Sequence, residues 1–281
     1  MEHRPIAAAT SHSVKRPVIH RVRQSPPVDL SIPYDKHWLR GKHVLITGGA
    51  SGFGAGFVRE WATCGASVVV GDTNTQRGGQ LVREVRRETG NQDIHFVHCD
   101  VTDWQSQVSL FKDAVGLSPH GGIDPVVANA GRAGTEPLQE PHKLDAAEPP
   151  EPDFKVIGVN LYGVLYTTHL ALFHLPLNPG SKACSSETEP AGDSRDRHLL
   201  LIGSIASLCP IVDQPLYGAS KHAVLGLFRS LRSSSFVQGV RVNMLCPCFI
   251  DTPIVPAAGP RTAEAGSLPT YPWHSQMLPC R

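Results

Sequence analysis

The stretch VLITGGASGFGAGFV, Val44–Val58, decides the fold. An apolar run ends in Thr47, and Gly48, Gly49, Gly52, Gly54 and Gly56 follow before apolar residues resume. The pattern predicts a buried strand, a glycine-rich turn and the start of a helix. N–H groups in the first turn of a helix have no intrahelical partner, and the helix dipole adds positive potential there. Such a turn is suited to an anion, and glycine lets the backbone approach it closely. No Gly-Lys-Ser/Thr follows, so the loop is not a P-loop, and the spacing G-x-G-x-x-G is absent too. What stands is Thr47-Gly48-x-x-x-Gly52-x-Gly54.

The same alternation continues outward. HVLIT (43–47), SVVVG (67–71), IHFVH (94–98), IDPVVAN (123–129), HLLLIGS (198–204) and RVNML (241–245) read as short buried strands. Helical periodicity fills 54–64, 75–89, 104–115, 154–174 and 217–236. Thr102 and Gln105 have capping-box spacing ahead of the third helix. Strands alternating with helices predict right-handed βαβ units and a doubly wound parallel sheet of about six strands in an α/β/α sandwich.

Flanking segments break the rhythm. Residues 1–40 carry Pro5, Pro17, Pro26, Pro27 and Pro33 and an early basic bias, and are expected to be a disordered extension to a nucleotide-binding domain over 41–253. Residues 132–152 are rich in proline and acids, residues 175–197 read as a polar surface insertion, and 254–281 show no period and are expected to be poorly ordered.

Composition narrows the function. The 281 residues carry a formal net charge of +1, which argues against nucleic acid as a partner. No apolar run reads as a membrane span, and no leader is legible at the start. The 7 cysteines, odd in number and without framework spacing, point to a reducing compartment, the cytoplasm. The Cys246-Pro-Cys248 pair has no second pair to make a metal site, and no metal is expected.

The glycine spacing resembles the fingerprint of the short-chain dehydrogenase/reductase family, and further motifs agree with it. Asp72 ends the second strand, where a carboxylate can accept both hydroxyls of an adenosine ribose and repel a 2′-phosphate. Thr73 follows in place of arginine and Ser51 in the loop is not basic, so NAD is expected in preference to NADP. Asp100-Val101 follows the third strand and Asn129-Ala130-Gly131 ends the fourth, with Ala128 where the family more often has asparagine. Asn160 lies in VNLYGV, and Ser204 precedes Tyr217 and Lys221 of YGASK at the family's spacing, with Ser207 the nearby alternative to Ser204. Tyr-x-x-x-Lys places both side chains on one helical face.

The resemblance, covering about residues 40–253, implies roles. Gly48, Ser51, Gly52, Phe53 and Gly54 would hold the cofactor phosphates, Asp72 the adenosine ribose and Asp100 with Val101 the adenine. Asn129, Ala130, Gly131, Tyr217 and Lys221 would meet the nicotinamide half, and Ile250 and Thr252 its carboxamide. Tyr217 would be the acid/base, with its pKa lowered by Lys221. Ser204 would bind the substrate oxygen, and Asn160 would hold a water that relays protons to Lys221. The implied reaction interconverts a secondary alcohol and a ketone. Homo-oligomers are common in such a family.

The chain departs from the pattern where Cys248 follows Pro247 in place of glycine, and where only 28 residues follow Pro253, without the usual lid helices and last strand. These departures keep a second reading open, a cofactor-binding sensor or interaction partner without turnover. The loop style is similar to that of dehydrogenases of fungal secondary metabolism and to hydroxyprostaglandin-dehydrogenase-like members; the substrate itself is not legible.

Overall fold

Six runs form six parallel strands; the central ones are largely buried on both faces, as a sheet covered by helices on two sides requires, and the two edge strands are partly exposed. The computed structural model describes residues 36–134, 136–138, 148–184, 195, 197–234 and 239–248. In chain order these hold β1 (His43–Thr47), α1 (Gly52–Thr63), β2 (Ser67–Asp72), α2 (Thr75–Thr89), β3 (Ile94–His98), α3 (Trp104–Leu117), β4 (Pro125–Ala128), α4 (Lys155–Leu177), β5 (His198–Ile202), α5 (Pro215–Ser234) and β6 (Arg241–Leu245). The sheet order is β3-β2-β1-β4-β5-β6, all parallel. This is the doubly wound Rossmann-type sheet, with its topological switch between β1 and β4. Among the described residues β6 is one edge of the sheet.

Successive side chains of each strand point to opposite faces and enter separate cores. Val44, Ile46, Val68 and Val70 pack with Val58, Ala62, Leu81 and Val85 of α1 and α2. Leu45, Val69, Val126, Leu199 and Leu201 pack with Leu110, Phe111, Ala171 and Val224 of α3, α4 and α5. The helices therefore form two layers around the sheet.

Local chemistry sets the helix ends. Asn74 caps α2 by accepting from the Arg77 N–H at 2.9 Å, and Gly90 closes it at φ +73°. At α3 the cap is Asp103, whose carboxylate accepts from the Gln105 N–H at 2.8 Å. The capping box expected from Thr102 does not form, because the Thr102 hydroxyl donates to Asp100 Oδ1 at 2.7 Å instead.

Helix α4 is longer than its sequence period, and by length and composition it could cross a membrane, although no such span is legible in the sequence. Its inner face is core, with Val156, Val164, Leu170, Ala171 and Leu175 buried. Gly158–Gly163 within it is a π-turn, a wider winding that rotates the following residues and recurs at functional sites. Of the segment read as a surface insertion, residues 175–184, 195 and 197 are described. Its start is anchored: Leu175 is fully buried, and buried Asn178 donates to Ile123 O and to Asp124 Oδ1, both at 3.0 Å.

Candidate functional site

The carboxyl ends of β1, β4 and β5 open onto one cleft, as expected where strand order reverses. It encloses about 1200 Å³. Its lining includes Gly48, Ser51, Gly52, Phe53, Asp72, Asp100, Val101, Asn129, Ala130, Gly131, Ser204, Tyr217 and Lys221. Fragments scattered from residue 48 to 221 therefore converge on one wall. Ile250 and Thr252 lie outside the described residues.

The loop after β1 is built for close approach. Gly48 has φ +64°, and a Cβ there would stand 2.5 Å from the Ala130 Cα. Gly54 is buried, and a Cβ on it would meet Gly49 Cα at 2.7 Å. Asn129 locks this turn by donating to Thr47 O at 3.0 Å and to Gly48 O at 2.8 Å. The Thr47 hydroxyl accepts from the backbone of Asn129 at 3.2 Å and of Ala130 at 3.3 Å. Asn129 thus serves to hold β4 against the loop. Ser51, the residue before α1, makes no side-chain cap. The start of α1 keeps its capacity for an anion.

Asp72 flanks that loop. One carboxylate oxygen accepts from Ala50 N at 3.0 Å and the other from Asn74 N at 2.9 Å, which fixes the group at the cleft edge with lone pairs to spare. Asp100 is held in the same way, accepting from Thr102 N at 2.9 Å, while Val101 beside it is buried. Arg77, in the first turn of α2, also lines this end of the cleft. The sequence expectation rested on Asp72, Thr73 and Ser51 and did not include Arg77.

At the other end Ser204, Tyr217 and Lys221 come together. The Tyr217 phenol and the Ser204 side chain lie near one another in the cleft lining. Ser204 Oγ accepts from Ala206 N at 3.1 Å, in a capping box that orders the turn Ile205–Ser207. Ser207, in that turn, is fully buried and accepts from Ser204 N at 3.2 Å, and of the two serines it is Ser204 that lines the cleft. Lys221, 3% exposed, donates to Ile202 O at 3.1 Å and lies over the Tyr217 ring, 5.7 Å from its centroid.

Burial decides the protonation of this group. It pushes the Tyr217 phenol above its usual value, opposed by the neighbouring Ser204 hydroxyl, and it brings Lys221 down to about 8, with Cys246 nearby acting in the opposite direction. The expected fall in the Tyr217 pKa is therefore corrected in the free protein. Desolvation disfavours the phenolate, and the ammonium sits over the ring and on a carbonyl instead of against the phenol oxygen.

Asn160, in the π-turn, is fully buried. Its carbonyl oxygen accepts from Arg132 N at 2.8 Å, and its amide donates to Arg132 O at 2.9 Å and to Ser220 Oγ at 3.1 Å. Both amide hydrogens are used, so the side chain anchors the loop after β4, and one lone pair of its carbonyl oxygen remains as an acceptor. Cys248 is exposed and lines the cleft with Pro247, whose carbonyl accepts from Ile205 N at 2.7 Å. Sequence reading also missed Arg132, Lys155 and Glu136. The first two line the cleft, and the third caps α5 from a distant loop.

Comparison with known proteins identifies the scaffold. Residues 42–262 match the model of the short chain dehydrogenase family. The chain is 38% identical over 232 residues to 5′-hydroxyaverantin dehydrogenase of Dothistroma septosporum (80% of this chain, 72% of the relative). It is 33% identical over 237 residues to NADP-dependent dehydrogenase clz5 of Cochliobolus lunatus (82% and 78%). Among solved structures it is similar to 3-ketoacyl-(acyl-carrier-protein) reductase from Brucella melitensis complexed with NADH, with TM-score 0.61, 27% identity and coverage of 77% and 79%. The chain belongs to the short-chain dehydrogenase/reductase family, whose members use NAD or NADP on hydroxyl-bearing small molecules.

Proposed function

We propose that this protein is an NAD-dependent oxidoreductase that interconverts a secondary alcohol and a ketone, with Tyr217 as acid/base. The observation that carries the reading is the convergence of Ser204, Tyr217 and Lys221, with Lys221 packed over the phenol ring, in the lining of a cleft suited to a dinucleotide.

The cleft fits the cofactor by its chemistry. The glycine turn and the α1 terminus suit a pyrophosphate, and Asp72 suits ribose hydroxyls. Asp100 and Val101 would border the adenine, and Lys221 with the Asn129–Gly131 turn would border the nicotinamide ribose. When bound, the nicotinamide accepts or donates the hydride. Ser204 hydrogen-bonds the substrate oxygen and stabilises charge that develops on it. Tyr217 takes the hydroxyl proton in oxidation and returns it in reduction. Because burial keeps the phenol protonated through neutral pH, reduction needs no prior titration, whereas oxidation gains from alkali.

The hydroxyaverantin dehydrogenase relative supports a hydroxyl-bearing substrate of that kind, and 5′-hydroxyaverantin is the first compound to test. Asp72 supports NAD, while Arg77 at the same end is the group an NADP 2′-phosphate would seek. The test is initial-rate turnover of 5′-hydroxyaverantin and a panel of secondary alcohols with each nucleotide. Wild-type protein reduces NAD faster than NADP, and Y217F loses at least about a hundredfold in kcat. The second reading, a cofactor-binding protein without turnover, rests on Cys248 in the cleft lining. Cofactor binding with no turnover of any substrate would favour it.

A further inference from the structure

Helix α5 carries both Tyr217 and Lys221, and its N-terminus is satisfied from elsewhere in the fold. Pro215 at its first position has no N–H, and Gly218 N already bonds Gln214 O at 2.9 Å. Two orphan donors remain, Leu216 N and Tyr217 N. Both are taken by one carboxylate: Glu136 Oε2 accepts from Leu216 N at 2.9 Å, and Oε1 accepts from Tyr217 N at 3.3 Å. Glu136 is half-buried and lies 80 residues before Leu216, in the loop that leaves β4.

That loop is tied at three points. Asn129 fixes it to the glycine turn, Asn160 clamps both backbone groups of Arg132, and Glu136 closes it onto the helix of the acid/base. The segment therefore runs from the nucleotide turn to the Tyr217 backbone. Four groups meet Tyr217 or its partners. Ser204, after β5, lies near its hydroxyl, and Lys221, on its own helix, covers its ring. Cys246, after β6, faces Lys221, and Glu136, from the loop, bonds its backbone N–H.

We propose that Glu136 is a positioning residue of the reaction: its carboxylate holds the first turn of α5, and with it the Tyr217 side chain, in place in the cleft, and its negative charge offsets the positive end of the helix that carries Tyr217. This rests on the reading of Tyr217 as acid/base. A carboxylate at a helix N-terminus is stabilised there and cancels the local positive potential, which otherwise favours phenolate.

The experiment compares wild type, E136Q, E136A and Y217F. Turnover is measured with 5′-hydroxyaverantin and NAD, NADH affinity by fluorescence, and the Tyr217 titration as tyrosinate absorbance after subtraction of Y217F. E136A is expected to lose about tenfold in kcat while the NADH Kd stays within about twofold, and E136Q to recover part of that loss through its remaining acceptor oxygen. The Tyr217 midpoint is expected to fall by about half a unit in E136Q. Unchanged kcat and midpoint in E136A and E136Q would overturn the proposal, as would an NADH Kd that weakens in step with kcat. If the wild type turns over no alcohol, the proposed function fails separately, and the tyrosinate arm still decides the charge effect of Glu136.

Discussion

Lys221 shows how one buried contact sets a function. Its ammonium is buried and has one hydrogen-bond acceptor among the described residues, Ile202 O, so it holds its charge weakly, with a pKa of about 8. Replacing it by methionine keeps most of the volume and removes the charge over the Tyr217 ring. K221M should fold with a Tm near that of wild type and lose roughly a hundredfold or more in kcat. Measured rates across pH carry the second residue-scale expectation. Ketone reduction should stay level through neutral pH, because Tyr217 is raised above its ordinary value and remains protonated, and alcohol oxidation should climb on the alkaline side. A reduction rate that falls between pH 6 and 8 would contradict that assignment. Of these residues, Tyr217, Lys221 and Ser204 were legible in the sequence because their spacing is local to one strand and one helix. Glu136 and Arg77 were not, because no local pattern marks a side chain that reaches an element remote in the chain or a face of a cleft.

At the scale of elements, the turn between β1 and α1 allows a paired test. Alanine at Gly48 would meet Ala130 and would have to hold a left-handed φ, at a cost of roughly 2–4 kcal/mol. Alanine at Gly56, exposed in α1 with nothing within 4 Å of its Cβ, should be neutral or stabilise by up to about 1 kcal/mol through helix propensity. Thermal melts of G48A and G56A should therefore move in opposite directions or differ clearly, with NADH affinity lost only in the first. The central strands were legible because parallel strands covered on both faces read as apolar runs, and the edge strands β3 and β6 because apolar residues recur within them. The π-turn of α4 was not, because one extra residue per turn leaves the apolar pattern of a core helix unchanged while it redirects Asn160. The cap of α3 shifted from Thr102 to Asp103 because a competing acceptor, Asp100, lies two residues away.

For the whole molecule, the end of the sheet opposite the cleft holds a polar knot that ties stability to pH. His43 is fully buried; its Nε2 bonds Ala114 O and its Nδ1 bonds Ser67 Oγ, both at 2.8 Å. A carbonyl only accepts, so Nε2 carries the proton and Nδ1 accepts from the Ser67 hydroxyl. Burial lowers the His43 pKa from 6.5 to about 4. The unfolded chain then binds more protons than the native one between these values, so stability is full above pH 6.5 and is lost as pH falls toward 4, by about 3 kcal/mol. Melting wild type and H43Q across that window should show a shallower acid slope in the variant. An identical slope would place the acid sensitivity away from His43.

The account stands or falls on the cleft at the switch point, and a thermal melt of the purified chain with NADH and with NADPH tests it most directly. A ligand at about 100 times its Kd adds roughly 2.7 kcal/mol, a rise of roughly 5–10 °C for a domain of this size. The account predicts a cooperative melt raised by NADH more than by NADPH, with the NADH shift lost in G48A. No shift with either nucleotide would contradict the dinucleotide site, and a larger shift with NADPH would overturn the Asp72 argument in favour of Arg77.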